Sequence, residues 1–112
     1  MATKGTVICV SGERLDVTPG QLREWAVSHD RAAQACAAAR ADSEQTLAAA
    51  QSWGPMFHEA RRAAHEAVAA REATLAAEQQ RHEAMARQLR SAADQFEEMD
   101  AVNRSSLTMR AE

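Results

Sequence analysis

Four histidines, His29, His58, His65 and His82, are the side chains in this sequence best suited to metal chemistry. Di-metal sites in helical bundles combine inward carboxylates with Glu-x-x-His pairs. No glutamate stands three residues before any of these histidines, and the sequence has no His-Glu-x-x-His motif. His58 and His65 share a helix face, which makes at best a weak metal site. We therefore expect no metal and no cofactor, and interpret His29 and His82 as hydrogen-bonding residues at a helix interface.

The sequence also lacks residues arranged for catalysis. It contains no glycine-rich phosphate loop, no nucleophile elbow and no Cys-His-Asn order. The acidic pair Glu97 and Glu98 points in two directions on a helix and is typical of a solvated face. Cys9 and Cys36 are interpreted as small apolar side chains in a reducing compartment. A disulfide between them is possible only if the N-terminal segment folds back on the first helix. We expect that the protein is not an enzyme.

The composition limits both the fold and the partners. The chain has 112 residues, of which 27 are alanine, and a net charge of −3. Because alanine adds only a methyl group, we expect one small domain without a thick core. The acidic balance and the lack of a dominant Lys/Arg cluster argue against nucleic acid as a partner. No run of 18 apolar residues occurs, so we expect no transmembrane helix. The apolar stretch 6–10 is too short for an ordinary secretory signal peptide.

A capping box marks the start of the first helix. Thr18 suits the N-cap, Pro19 suits the first helical position, and Gln21 completes the box three residues on. The alanine-rich sequence that follows predicts a helix over about 18–52. Residues 1–17 are rich in β-branched and turn-forming side chains and predict an extended N-terminal arm. Such an arm becomes strand-like only if something pairs with it.

A short turn separates the first helix from a second one. Pro55 suits the first position of a new helix, and Gly54 permits a sharp bend before it. The second helix is predicted over about 55–103, antiparallel to the first because the connection is short. The predicted fold class is therefore all-α, a two-helix hairpin over 18–103, followed by a flexible C-terminal tail over 104–112.

Apolar and small residues recur at alternating steps of three and four along both helices, which predicts one packed seam on each. The first seam is predicted at Leu22, Trp25/Ala26, His29, Ala32/Ala33, Cys36, Ala39, Ser43, Leu47 and Ala50. The second is predicted at Phe57, Ala60, Ala64, Val68, Arg71, Leu75, Glu78, His82, Met85, Leu89, Ala92, Phe96, Met99 and Val102. Two helices bury little apolar surface, so we expect them to associate into a four-helix bundle or a larger assembly.

Two aromatic residues have more than one interpretation. Trp53 at the turn is either a staple that packs on the end of the helices or an exposed anchor for a partner, and the periodicity favours the staple. Phe96 lies on the apolar seam, so its first interpretation is as a core residue. Asp100 lies one helical turn after Phe96, on the same side of the helix.

Several short segments, in their order along the chain, resemble the EspC-like branch of type VII (ESX) secretion-associated proteins. That branch is related to the WXG-type Esx helical hairpins. The segments are Leu15-Asp16-Val17, His29-Asp30, the turn Trp53-Gly54-Pro55, Arg90-Ser91-Ala92-Ala93, and Phe96 to Asp100. In the turn, Trp53 stands where this branch has histidine. The likeness spans about residues 15–103.

The resemblance implies an export substrate of an actinobacterial, mycobacterium-like type VII system. In such families a Tyr-x-x-x-Asp/Glu element helps the secretion ATPase recognise its cargo. Carried over, Phe96 in place of tyrosine, together with Asp100, is the implied secretion signal. The hairpin would be folded before export, paired with itself or with a related hairpin, and then found outside the cell or in the envelope. The alternatives are a cytoplasmic coiled-coil adaptor that is never exported and, third, a metal-binding bundle enzyme.

Overall fold

The computed structural model describes residues 6–10 and 13–111, with side chains over 16–110. Its elements in chain order are the strands β1 (Thr6–Val10) and β2 (Glu13–Val17), the helices α1 (Pro19–Ala41) and α2 (Ser43–Gln51), a 3₁₀ turn (Pro55–Phe57), and helix α3 (His58–Ala111). The predicted all-α helical hairpin is confirmed. None of the helices in the described part of the chain is long and apolar enough to cross a membrane.

The N-terminal segment pairs with itself. Strands β1 and β2 form a two-stranded antiparallel sheet in which Thr6 faces Val17 and Val10 faces Glu13. This pairing explains how the predicted extended segment can hold strand geometry, since each strand satisfies part of the backbone of the other. The side chain of Cys9 lies outside the described residues. Cys36 on α1 is a half-buried free thiol.

The start of α1 is capped as the sequence predicts. The backbone N–H of Gln21 donates to Thr18 Oγ1 at 3.1 Å, and the backbone N–H of Thr18 donates to Gln21 Oε1 at 3.0 Å. The two bonds satisfy donors that the first turn of a helix leaves without intrahelical partners. Pro19 is the first residue of α1. The capping box therefore fixes where β2 ends and the hairpin begins.

The first predicted helix is divided in two. A turn at Asp42 separates α1 from α2, where the sequence predicts one helix over about 18–52. At this point the backbone N–H of Asp42 donates to the carbonyl of Ala39, three residues back, at 3.4 Å. Aspartate is a weak helix former, which favours an interruption here. The seam predicted along α1 and α2 is buried or half-buried throughout except at Trp25.

The geometry of the turn differs from the prediction at Gly54. This residue has φ −68° and ψ 176°, extended backbone that any residue adopts, and a Cβ placed on it would meet no atom within 4 Å. The bend therefore does not need glycine. The extended ψ is the conformation that the following Pro55 favours. Pro55 opens the 3₁₀ turn, as predicted for the start of the second helix.

Helix α3 continues past the predicted boundary near residue 103 and ends at Ala111. The segment 104–111 contains no proline or glycine that would stop a helix. The side chains over 101–110 are all exposed. The flexible tail over 104–112, like the division into arm, hairpin and tail, stays a prediction.

The chain forms two compact units. The terminal unit comprises Met1–His29 and Ala84–Glu112, and the turn unit comprises Asp30–Glu83. In the terminal unit, Val17, Leu22 and Ala93 form the buried cluster, against which Leu89, Ala92 and Phe96 pack. The buried side chains of the turn unit are Ala33, Ala50 and Val68. With Ala26 and Ala86, alanine supplies three of the five buried hydrophobic residues described in the terminal unit and two of the three in the turn unit, so each unit has a thin core.

The seam of α3 follows a different register from the predicted one. Of the predicted positions, those buried or half-buried are Ala64, Val68, Leu75, Glu78, His82, Leu89, Ala92 and Phe96, and those exposed are Phe57, Ala60, Arg71, Met85, Met99 and Val102. Further inward positions, which the prediction did not include, are Glu72, Gln79, Ala86, Ala93 and Asp100. A step of four residues after Val68 replaces the predicted step of three. It turns one arginine and two methionines outward, and it places small alanines where α3 packs in the terminal unit.

Candidate functional site

The Phe96 to Asp100 segment lies on α3 in the terminal unit. The ring of Phe96 is half-buried and packs against the cluster of Val17, Leu22 and Ala93. Asp100 follows one helical turn later and is also half-buried. Helical spacing of four residues puts both side chains on one face. Phe96 thus contributes to the core, as its first interpretation held, while part of its ring stays accessible next to a carboxylate.

An arginine from α1 binds the same stretch of α3. Arg23 Nη1 donates to Glu97 Oε1 at 2.5 Å, and Arg23 Nη2 donates to Glu97 Oε2 at 3.1 Å and to Asp94 Oδ1 at 2.8 Å. The guanidinium therefore forms a two-pronged pair with one carboxylate and a third bond to another, the geometry in which arginine binds carboxylates most specifically. This clamp ties the first turns of α1 to the turn of α3 that contains Phe96.

The clamp shifts the protonation of both partners. The hydrogen bond from Arg23 lowers the pKa of Glu97 below its ordinary value, with the positive charge of Arg23 adding to the effect. The hydrogen bonds to Glu97 and Asp94 raise the pKa of Arg23 above its ordinary value. Both side chains are well exposed, so solvent screens the pair. The clamp orients side chains more than it stabilises the fold.

The turn exposes an apolar surface in the turn unit. Trp53 is 42 % exposed, Phe57 53 % and Met56 88 %. Trp53, Phe57 and Ala60 line a cavity of about 270 Å³. We call Trp53, Gly54, Pro55, Met56 and Phe57 the turn surface. More than half of the Trp53 surface is covered and the rest of its indole is accessible from solvent, so the staple and the anchor both stay predictions.

A second polar network lies between helices in the turn unit. Arg40 Nε donates to Glu72 Oε1 at 2.7 Å, and Arg40 Nη1 donates to Gln79 Oε1 at 3.0 Å. Ser43 Oγ donates to the other oxygen of Glu72 at 3.4 Å. These side chains come from α1, α2 and α3, on both sides of the break at Asp42. The network satisfies polar groups that the observed register of α3 brings into the interface.

The histidines fall into two pairs. His29 and His82 are half-buried, and each has an interaction partner. His58 and His65 are exposed and line the same cavity of the turn unit. Within the described part of the chain, no three histidine, cysteine or acidic side chains are grouped so that they could hold a metal ion.

The structure assigns the candidate residues to different units. Trp53, Gly54 and Pro55 belong to the turn unit, whereas Phe96 and Asp100 belong to the terminal unit. Sequence reasoning missed the Arg23 clamp and the Arg40 network. Both depend on which residue of the first helix faces which residue of the second, and only the register of the hairpin supplies that information. Oppositely charged residues on the two predicted helices were the available signal, but every helix carries several of each.

The comparison with known families decides the relationship. Residues 11–108 match the family described as "Excreted virulence factor EspC, type VII ESX diderm". The chain belongs to the EspC family. The match covers most of the chain, including α1, α2, the turn that follows them and nearly all of α3. No curated protein and no solved structure matches this EspC-family chain. Membership implies a type VII secretion substrate, and the family is described by its excretion and not by a reaction that it catalyses.

Proposed function

We propose that this EspC-family protein is an exported cargo or co-cargo of a type VII (ESX) secretion system and acts by protein–protein interaction through its helical hairpin. The observation that carries the proposal is the family match over residues 11–108. Type VII secretion is a route to the outside of the cell that does not use an ordinary signal peptide. The protein would be folded in the cytoplasm and leave it through the secretion machinery.

We assign recognition by the secretion ATPase to Phe96 and Asp100. The accessible part of the Phe96 ring and the Asp100 carboxylate lie one turn apart, which suits an apolar pocket beside a basic group. The carboxylate of Asp100 makes no ion pair among the described residues. Arg23 binds Glu97 and Asp94 and not Asp100, so Asp100 offers a carboxylate without an ion-pair partner among the described residues.

A related hairpin or a second copy of the chain is the proposed partner. The core of each unit is built mainly from alanine, which leaves large apolar side chains outside. Met99 and Val102 are each 58 % exposed near the end of α3. The turn surface adds Trp53 and Phe57, residue types that are common at the centre of protein interfaces. Burial of these side chains against another hairpin would supply apolar contact that a single hairpin lacks.

The export proposal is tested by measuring the secreted fraction of the full chain. The host carries the type VII system, and a matched strain lacks its secretion ATPase. The chain is expected in the medium or envelope of the first strain and inside the second. Asp100→Asn and Phe96→Leu are expected to reduce the secreted fraction at least tenfold. Both replacements keep the size and packing of the original side chain better than alanine would.

Glu98→Gln is the matched control, because Glu98 is an exposed carboxylate on the same helix turn. Its secreted fraction is expected to equal that of the unmodified chain. If all three variants are secreted to the same extent as one another, whether fully or weakly, the assignment of the signal to Phe96 and Asp100 is contradicted. Retention of the unmodified chain in the host that carries the system would favour the alternative, a cytoplasmic coiled-coil adaptor. That adaptor would use the same helices but neither motif.

A further inference from the structure

A cavity of about 520 Å³ lies on the turn unit beside the first turns of α3. It is lined by Gln51, His58, Arg61, Arg62 and His65. The four residues from α3 have the spacing i, i+3, i+4 and i+7, which puts them on one face of the helix. Gln51 is the last residue of α2. None of these lining residues is acidic, and two of them are arginines.

The two arginines of the cavity differ in their partners. Arg62 Nη2 lies 2.8 Å from Glu59 Oε2, and Arg62 Nη1 lies 3.6 Å from Glu66 Oε1. Arg61, in contrast, makes no ion pair among the described residues. Its Nε is shielded from solvent and has no hydrogen-bond acceptor in the structure. Because water does not reach Nε, an oxyanion in the cavity would bind the terminal Nη groups of Arg61, whose charge is paired with no acidic side chain among the described residues.

We propose that this cavity binds the phosphate group of a phosphorylated small molecule or of a lipid headgroup. Arg61 supplies the main charge-assisted hydrogen bonds, because a guanidinium presents several donors in a fixed plane to phosphate oxygens. The two imidazoles and the Gln51 amide supply further donors around it, while Arg62 is held by Glu59 and Glu66. The α3 donors span about 10 Å along the helix. A phosphate, with three or four oxygens, can use donors on several sides, whereas a carboxylate has only two oxygens. The inference stands independently of the export proposal.

The test is a titration of the full chain with inorganic phosphate and with pyrophosphate, followed by NMR signals of arginine Nε–H and histidine ring groups. Chloride at equal ionic strength is the reference. Saturable shifts are expected for Arg61, His58 and His65. Arg61→Gln is expected to weaken binding about tenfold or more, and Arg61→Lys to lose part of it, because lysine keeps the charge but not the planar fork.

Arg87→Gln is the matched control. Arg87 is exposed, lies on α3 outside the cavity, and makes no ion pair among the described residues. Its replacement removes the same charge and is expected to leave binding unchanged. A circular dichroism spectrum shared by all variants would establish that the helices are intact. Equal weakening by Arg61→Gln and Arg87→Gln would overturn the proposal, because the effect would then be one of net charge.

Vesicles distinguish the two sources of phosphate. The chain is sedimented with vesicles of phosphatidylcholine alone and with vesicles that also contain phosphatidic acid. Arg61-dependent sedimentation with the second kind only would identify a headgroup. Saturable shifts with soluble phosphate but no sedimentation would identify a small phosphorylated molecule. The absence of Arg61-dependent binding in both arms would overturn the proposal.

Discussion

Arg23 and Glu97 form a two-pronged pair in which Nη1–Oε1 is 2.5 Å and Nη2–Oε2 is 3.1 Å. The pair joins the first turns of α1 to the segment of α3 between Phe96 and Asp100. Because the guanidinium also binds Asp94 at 2.8 Å, it fixes the rotation of α3 relative to α1 in the terminal unit. It thereby sets the direction in which the side of α3 with Phe96 and Asp100 faces within the terminal unit.

The pair gives the protein a defined dependence on pH. The pKa of Glu97 is lowered below its ordinary value of 4.5 in the folded state by the hydrogen bond from Arg23. The unfolded state therefore binds more protons in the interval between the two values, and stability rises with pH there. The contribution of the pair is fully present above pH 4.5 and is lost as the pH falls through the lower, folded value. Urea denaturation of the unmodified chain and of Glu97→Gln should differ at pH 6 and converge in strong acid.

Glu98→Gln is the control for this comparison, because Glu98 is a neighbouring exposed carboxylate without an ion pair among the described residues. Its denaturation midpoint should follow that of the unmodified chain at each pH. A difference between Glu97→Gln and the unmodified chain that persists unchanged in strong acid would show that the hydrogen bond to Arg23 is not its source.

The Arg40–Glu72 pair is expected to couple α1 to α3 more strongly than a pair within one helix. Its Nε–Oε1 distance is 2.7 Å, and Gln79 and Ser43 extend it into a network. A double-mutant cycle with Arg40→Met and Glu72→Gln should give a coupling of about 0.5–1 kcal/mol in the free energy of unfolding. The same cycle on the exposed pair Arg62–Glu59 should give about 0.3 kcal/mol. Equal couplings would mean that the network does not fix the interface.

Gly54→Ala is expected to leave the fold intact. The backbone of Gly54 is extended, and an added Cβ would meet no atom within 4 Å. Alanine also narrows the conformations of the unfolded chain, so the free energy of unfolding should stay equal or rise by about 0.4–1 kcal/mol. Thermal unfolding by circular dichroism measures this change. If the variant is stable but is no longer exported, glycine serves recognition of the turn surface. A loss of stability would show that the bend does require glycine.

The elements with strong local signals could be predicted from the sequence. The residue types and spacing of Thr18 and Gln21 predict their reciprocal capping bonds, because a capping box depends only on residues three apart. Pro55 and the paucity of other helix breakers indicate one hairpin. The seam along α1 and α2 is also predictable from the sequence, because alanine, cysteine and leucine occupy it at regular steps. These features depend on neighbours in the chain, so one sequence is sufficient to find them.

Other features depend on the pairing of distant residues and were not predictable. The four-residue step from Val68 to Glu72 places a carboxylate in the interface. Apolar periodicity does not distinguish this step from a three-residue step to Arg71, because neither residue is apolar. In the structure Arg40 lies opposite Glu72 and binds it at 2.7 Å. The cavity containing Arg61 likewise needs Gln51 from another helix. Both features depend on which residues the two sides of the hairpin bring together, which hydrophobic periodicity does not specify.

Leu22→Ala tests whether the thin core of the terminal unit governs stability. Leu22 is buried and belongs to the cluster with Val17 and Ala93, against which Leu89 and Phe96 pack. Its truncation should lower the free energy of unfolding by about 2–4 kcal/mol. The matched control is Leu107→Ala, which truncates an exposed leucine near the end of α3 and should change it by less than about 0.5 kcal/mol. Similar losses for the two variants would mean that the cluster is not the main source of stability.

Phe96→Tyr restores the residue of the resembled secretion motif and separates its two roles. Phe96 packs against the core cluster but is only half-buried, so an added hydroxyl can stay in contact with water. The free energy of unfolding should therefore change by less than about 1 kcal/mol. On the proposed function, the secreted fraction should rise severalfold, because a partner that hydrogen-bonds tyrosine gains a contact that phenylalanine cannot make. Denaturation midpoints and secretion are measured on the same variant. Unchanged secretion at unchanged stability would mean that the machinery reads the ring alone, whereas reduced secretion would contradict the assignment of this residue to the signal.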